Sequence, residues 1–300
     1  NSMRSMEKVV IGSITYLSSL VTNTVVNLLL IFGYFGLPKL GIMGAAIGTV
    51  AARFVEFIIV IIYDKKFNDV FTFHFEYLKI KSKELTSDFL KISSPVIANE
   101  LMWGVGLSTM TAILGHLGSA TTAANSVAQV CRNLATVVAF GVANSAAVMI
   151  GKVIGEGNKE RAKEYGKRFI KLTIITGIAG SIVILCVRPV VLSVLTLSDD
   201  ARKLLSVMLL IMAYYVIAQA YNTTLIVGVF RGGGDTRFGF FLDVTFMWGI
   251  SIVLGFIAAF ILELPAIIVA FILYFDEIIK IPFSTWRYKS YKWLNDVTRK

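Results

Sequence analysis

Chemistry in this 300-residue chain has to come from a few ionisable and amide side chains set inside long apolar runs. Glu100 follows Asn99 and precedes Trp103, about twelve residues, or roughly 18 Å of helix rise, into an apolar stretch that begins near residue 89. A carboxylate beside an aromatic ring can bind a lipophilic cation, or exchange a proton as its surroundings change. Paired permanently with a buried cation, it would only fix helix packing. Arg132 sits equally deep in the next stretch, with Asn125 and Gln129 on its helical face. That polar stripe has to line a cavity or meet another helix. Glu100 or a carboxylate near the end of the chain is the expected partner of Arg132, in a bridge that is either static or broken by a proton or substrate. Asp276, Glu277 and Lys280 form a set at i, i+3 and i+4 spacing, and Arg53 with Glu56 forms a second local pair. If Glu277 pairs with Lys280, Asp276 is left over as the titrating candidate. Asp243, about five residues inside its own stretch, reads as a structural or gating group. Tyr214, Tyr215 and Tyr221, with Asn222, offer either an aromatic wall for flat cations or ordinary packing. Asn23 and Asn27 lie one turn apart on a single face.

The elements that must position these groups are membrane spans. Hydrophobic residues make up 56% and charged residues 16% of the chain, and mean hydropathy is +0.74. A soluble domain carries roughly 25% charged residues, so the excess apolar surface has to face lipid. Eight runs are long enough to cross a hydrocarbon core of roughly 30 Å: about 9–32, 41–63, 89–114, 120–150, 169–188, 203–229, 238–262 and 265–283. They lack period-2 alternation, so the expected class is all-α and not a barrel. Most of the 29 Lys and Arg fall on one side of the runs, as in the segments 64–88, 152–168 and 287–300. The positive-inside rule then places both ends of the chain in the cytoplasm. The formal charge of +10 is accounted for by topology and attraction to anionic lipid, with no need of nucleic acid. Cys131 and Cys186 lie in apolar runs, and His74 and His116 stand apart from each other, so no histidine metal motif can be read. Gly232, Gly233 and Gly234 are not followed by the Lys–Ser/Thr of a phosphate loop and read as a tight turn. No cofactor is expected. An intramembrane enzyme would need Glu100, Asp276 and a hydroxyl to converge on a lipid-accessible cleft.

An internal repeat organises the runs. With one offset and no gap, Arg4 aligns with Arg231, Gly12 with Gly239, Pro38 with Pro265 and Arg53 with Lys280. Equivalent points are separated by six runs, an even number, so the two copies share an orientation. The expectation is a two-lobe, parallel-repeat transporter of twelve helices, of which eight are present and roughly four would precede Asn1. Residues 1–63 would be the last two helices of the first lobe, 64–88 a linker, 89–286 a six-helix second lobe and 287–300 a tail.

Three segments carry a family likeness. G-K-V-I-G-E-G-N-K-E-R-A (151–162) resembles the V-G-x-x-x-G-x-x-x-x-x-R-A connection of MATE multidrug exporters. G-V-F-R-G-G-G-D-T (228–236) resembles their G-x-x-R-G-x-G-D-T segment. N-T-V-V-N-L-L-L-I-F-G-Y-F-G (23–36) with G-I-M-G-A-A-I-G-T (41–49) resembles their fifth and sixth helices. The resemblance implies two six-helix lobes around a central cavity in a bacterial cell membrane. The chain would act as a monomer, exporting lipophilic organic cations or other xenobiotics in antiport with Na+ or H+. A related exporter of lipid-linked or polysaccharide intermediates shares that architecture. The resemblance also assigns Asn23, Asn27 and Thr49 to a first-lobe cation site. Asn27 stands where the family has Asp, and an amide can offer Na+ an oxygen but neither negative charge nor a proton. Second-lobe groups, Glu100 foremost, therefore become the coupling candidates.

Overall fold

Two Schellman-type stops show how this sequence turns its helices. Gly157 (φ 79°) and Gly234 (φ 75°) adopt left-handed backbone, where a side chain would be strained. Around Gly157, Asn158 N–H reaches Val153 O (3.1 Å) and Gly157 N–H reaches Ile154 O (2.9 Å). Around Gly234, Asp235 N–H reaches Phe230 O (2.8 Å) and Gly234 N–H reaches Arg231 O (3.2 Å). Each stop leads at once into the next helix. Asn158 caps it by accepting a hydrogen bond from Arg161 N–H, as Ser198 does from Ala201 N–H at another connection.

The computed structural model describes residues 9–36, 38–67 and 82–296. These are helical, with no strand among them: α1 Val9–Phe32, α2 Ile42–Phe67, α3 Lys83–His116, α4 Ser119–Gly155, α5 Lys159–Val194, α6 Asp199–Phe230, α7 Thr236–Ile261, α8 Ala266–Leu273 and α9 Asp276–Lys289. A single 3₁₀ turn, Tyr34–Gly36, follows α1. Arg4, His74 and the basic residues Lys79, Lys81, Arg299 and Lys300 lie outside the described residues.

Among the described residues six helices are long and apolar enough to cross a membrane: α1, α2, α4, α5, α6 and α7. The eight expected runs differ from this set at two places. Helix α3 is amply long at 34 residues, but its polar and charged positions, Asn99 and Glu100 among them, lower its hydropathy. The last run is not one helix. It breaks at Tyr274–Phe275 into α8 and α9, and α9 begins with Asp276 and Glu277 in its first turn. Carboxylates there face the positive end of the helix dipole.

The chain divides into two compact units, Asn1–Lys83 and Glu84–Lys300. In the first, α1 and α2 pack as a hairpin, and Gly48 admits the Asn27 side chain against its Cα. In the second, α4 presents Ala124, Ala128, Ala135, Ala139, Ala143 and Ala146 along a buried face. Small residues let α5 and α6 approach it closely. Helix α3 joins this bundle more through side chains than through close backbone packing, for instance from Trp248 Nε1–H to Met102 O at 3.0 Å.

Candidate functional site

A cleft opens in the second unit, with about 440 Å³ of space between its walls and in the solvent at its mouth. Helix α3 contributes Asn99, Glu100 and Trp103, and α4 contributes Phe140. Helix α6 adds Gln219 and Asn222, and Arg231 follows directly after its last residue, while Asp243 comes from α7 and Glu277 from α9. Two departures from α-helical geometry flank it. Residues Thr224–Phe230 of α6 and Thr245–Ile252 of α7 are wound as π-helix, whose wider turns recur at functional sites. The broken last run supplies the third irregular wall.

Charge in the cleft is organised by two cations. Lys280 Nζ lies 3.1 Å from Asp243 Oδ1, 3.0 Å from Asp276 Oδ2 and 2.8 Å from Glu277 Oε1, and its side chain is 1% exposed. One ammonium thus serves three carboxylates. Amides extend the network: Asn99 Nδ2 donates to Asp243 Oδ2 (3.1 Å), and Asn222 Nδ2 donates to Glu277 Oε2 (2.8 Å) and to its carbonyl (2.6 Å). Ser284 Oγ donates to Asn222 Oδ1 at 2.9 Å. The second cation is Arg231, whose Nη2 donates to Glu100 Oε1 at 2.6 Å.

Several sequence expectations change here. Arg132 pairs neither with Glu100 nor with a carboxylate of α9. Its Nη2 donates to Asn133 Oδ1 at 2.9 Å, its guanidinium stands 6.0 Å from the Tyr215 ring centre, and its Nε and Nη1 have no hydrogen-bond acceptor. Asn125 and Gln129 do not line the cleft. Asn125 Oδ1 accepts from Tyr274 O–H (2.8 Å) and Gln129 Nε2 donates to Thr111 Oγ1 (3.1 Å), so that stripe joins helices. Asp276 is not left over but shares Lys280. The 3.0 Å approach lacks hydrogen-bond alignment, so both Asp276 oxygens remain without a donor. Asp243 is a full member of the charge network. The tyrosines form no wall of the cleft: Tyr215 packs edge-on to Tyr274, Tyr214 against Phe271, and Tyr221 O–H bonds Thr285 Oγ1. Trp103 and Phe140 supply the aromatic surface instead. Sequence reasoning did not single out Phe140, Gln219 or Arg231 as cleft residues. The position of Arg231, aligned with Arg4 in the repeat and placed in the 228–236 motif, was the available signal.

In the first unit Asn27 Nδ2 donates to Asn23 Oδ1 at 3.0 Å, which leaves the Asn27 carbonyl oxygen without a donor. Thr49 Oγ1 donates to Ala45 O at 3.0 Å, and Arg53 pairs with Glu56 at 2.6 Å.

Beyond α9 the chain folds back on the glycine turn. Trp293, fully buried, stacks on Tyr288 and donates from Nε1 to Tyr288 O at 3.0 Å, while Asn295 N–H bonds Gly233 O and Arg287 Nε pairs with Asp235 at 2.7 Å. Burial pushes the Tyr288 phenol up to about 12.

Comparison with known proteins bears on the family and the fold. Over 244 residues the chain is 27% identical to the "Probable multidrug resistance protein NorM" of Bacillus cereus, covering 81% of this chain and 54% of that protein. Over 246 residues it is 25% identical to the "Probable multidrug resistance protein YoeA" of Bacillus subtilis, covering 80% and 53%. The chain therefore spans about half the length of the curated relatives it matches. Among solved structures, a mutant of the Vibrio cholerae MATE transporter VcmN superposes with a TM-score of 0.80 at 15% identity, over 98% of this chain and 65% of that one. The MATE transporter ClbM in complex with Rb+ gives 0.74 at 15% identity, over 95% and 61%. These two likenesses establish the fold. The family profile described as MatE matches residues 95–257, which carry α3 from Pro95, all of α4, α5 and α6, and α7 as far as Ile257. With more than half of its length matched, this chain belongs to the MatE family.

Proposed function

We propose that this chain is the greater part of a multi-pass exporter of the cell membrane, moving organic cations or other xenobiotics outward in antiport with Na+ or H+. Both of its ends would face the cytoplasm, and it would act as a monomer among membrane lipids. The observation that carries the reading is the cleft, where Glu100, Asp243 and Glu277 meet the aromatic faces of Trp103 and Phe140. Carboxylates beside aromatic rings suit lipophilic cations, and the names of the Bacillus relatives point the same way. An acidic, aromatic lining favours this reading over transport of a lipid-linked or polysaccharide intermediate, and neither needs bond-making chemistry.

Coupling would reside in the Lys280 network. Three carboxylates against one ammonium leave an excess of negative charge in a buried site, which a proton or Na+ relieves. Loading shifts the balance of conformations only if the site binds the ion with different affinity in the inward- and outward-open states. Asn99, Asn222 and Asp243 connect that network to the walls the substrate would touch. At the resemblance-assigned first-lobe site, Asn27 offers no charge to change.

The test is ethidium efflux from drug-sensitive cells carrying the complete gene, with and without Glu100→Gln, under separately imposed Na+ and H+ gradients. Gradient-driven efflux that Glu100→Gln abolishes at normal membrane levels is the expected result. Efflux that survives the substitution removes Glu100 from the mechanism. No efflux from the intact protein rejects cation export in favour of the lipid-linked cargo.

A further inference from the structure

We infer that Arg231 is a tethered competitor for Glu100, a built-in cation that a cationic ligand of the cleft must displace, so that Arg231 sets the affinity for such ligands. The inference rests on the reading of the cleft as a cation site. Three carboxylates line it, but they are not equivalent. Glu277 and Asp243 are held by the buried Lys280, whereas the Glu100 side chain is 56% exposed and carries the Arg231 guanidinium at 2.6 Å. An entering cation therefore meets Glu100 as the accessible carboxylate, and finds it occupied. Trp103 lies one turn further along α3 and lines the same cleft, so the displacing ligand is a monovalent organic cation with an apolar or aromatic body.

Arg231 is built to leave without disturbing its helix. Its carbonyl accepts Gly234 N–H, and the next residues form the left-handed stop, so its backbone is fixed by the turn. The long side chain, 19% exposed, is the part that can change rotamer. The pair also bridges α3 to the end of α6, 131 residues apart, and a purely structural clasp would use the same contact. The two roles predict opposite signs. A clasp that is cut loosens α3 and weakens ligand binding, whereas a competitor that is removed strengthens it.

Equilibrium dialysis of tetraphenylphosphonium against the purified full-length protein separates them. Arg231→Gln should lower Kd by about fivefold, the factor corresponding to an ion pair at the upper end of surface strength. Arg231→Lys, with a single point charge in place of the planar fork, should bind at or slightly tighter than wild type. Glu100→Gln should weaken binding, and adding Arg231→Gln to it should bring no further gain. Unchanged or weaker binding by Arg231→Gln, at an unaltered melting temperature, overturns the inference. If that variant cannot be purified, Arg231→Lys decides alone: binding weaker than wild type overturns it. Binding by wild type without a gain in Arg231→Gln sinks only the competitor role. Failure of both proteins to bind sinks the cation-site reading as well.

Discussion

Replacing Lys280 by Met keeps the aliphatic stem and removes the charge, so three carboxylates would face one another in a largely buried site. Breaking a buried ion pair by removing one partner costs about 3–5 kcal/mol. Independently, two like charges about 4 Å apart repel by about 4 kcal/mol at an effective dielectric constant of about 20. In a domain of 150–250 residues each kcal/mol lowers the melting temperature by about 2–4 °C, so Lys280→Met should lose roughly 6–20 °C. The assay is the temperature at which full-length protein in detergent loses its monodisperse peak on size-exclusion chromatography. Glu277→Gln alone leaves Lys280 with Asp243 and Asp276, and its amide oxygen can still accept from Asn222, so the loss should be only about 1 kcal/mol. The double variant Lys280→Met/Glu277→Gln should recover part of the Lys280→Met loss, because the charge imbalance is smaller. A Lys280→Met protein that melts within about 2 °C of wild type would refute the shared-ammonium argument. A double variant no better than Lys280→Met would show that packing, not charge, is what Lys280 supplies.

Arg132→Met should be neutral or stabilising by about 1 kcal/mol, since two of the three guanidinium nitrogens are buried without acceptors and the residue is only 3% exposed. A fall in melting temperature would reveal a partner essential to the fold. Gly233→Ala drives a methyl group into the Trp293 carbonyl and should cost about 1–3 kcal/mol. It should also speed trypsin cleavage at Lys292, and an unchanged digestion rate would mean that Trp293 does not depend on that close approach.

Local rules read much of this protein correctly. Helix geometry brings residues three and four apart together, so the Arg53–Glu56 and Lys280–Glu277 pairs follow from spacing alone, whereas spacing left Asp276 over and the structure sets it 3.0 Å from the same ammonium. The Asn23–Asn27 contact is legible for the same reason. Glycine at 157 and 234 marks two helix stops, because few other residues tolerate left-handed backbone there.

Spacing is silent wherever a charge can reach across helices. Lys280 takes Asp243 from 37 residues away, Glu100 takes Arg231 from 131, and Arg132 ends with no carboxylate among the described residues. These choices depend on which way each side chain leaves its helix and on how the helices are rotated, which a single stretch does not encode. The break at Tyr274–Phe275 has no glycine or proline beside it to announce it, since Pro265 and Pro282 of that run lie near its two ends. The π turns of α6 and α7 likewise carry no compositional mark, because widening a turn shifts the hydrogen-bond register without changing which residues are apolar. Residue types and period thus determined that the chain is helical, membrane-embedded and locally ion-paired. Tertiary structure decided which carboxylates share Lys280 and which one meets Arg231 in the cleft, because long-range electrostatics acts only after the helices have been placed.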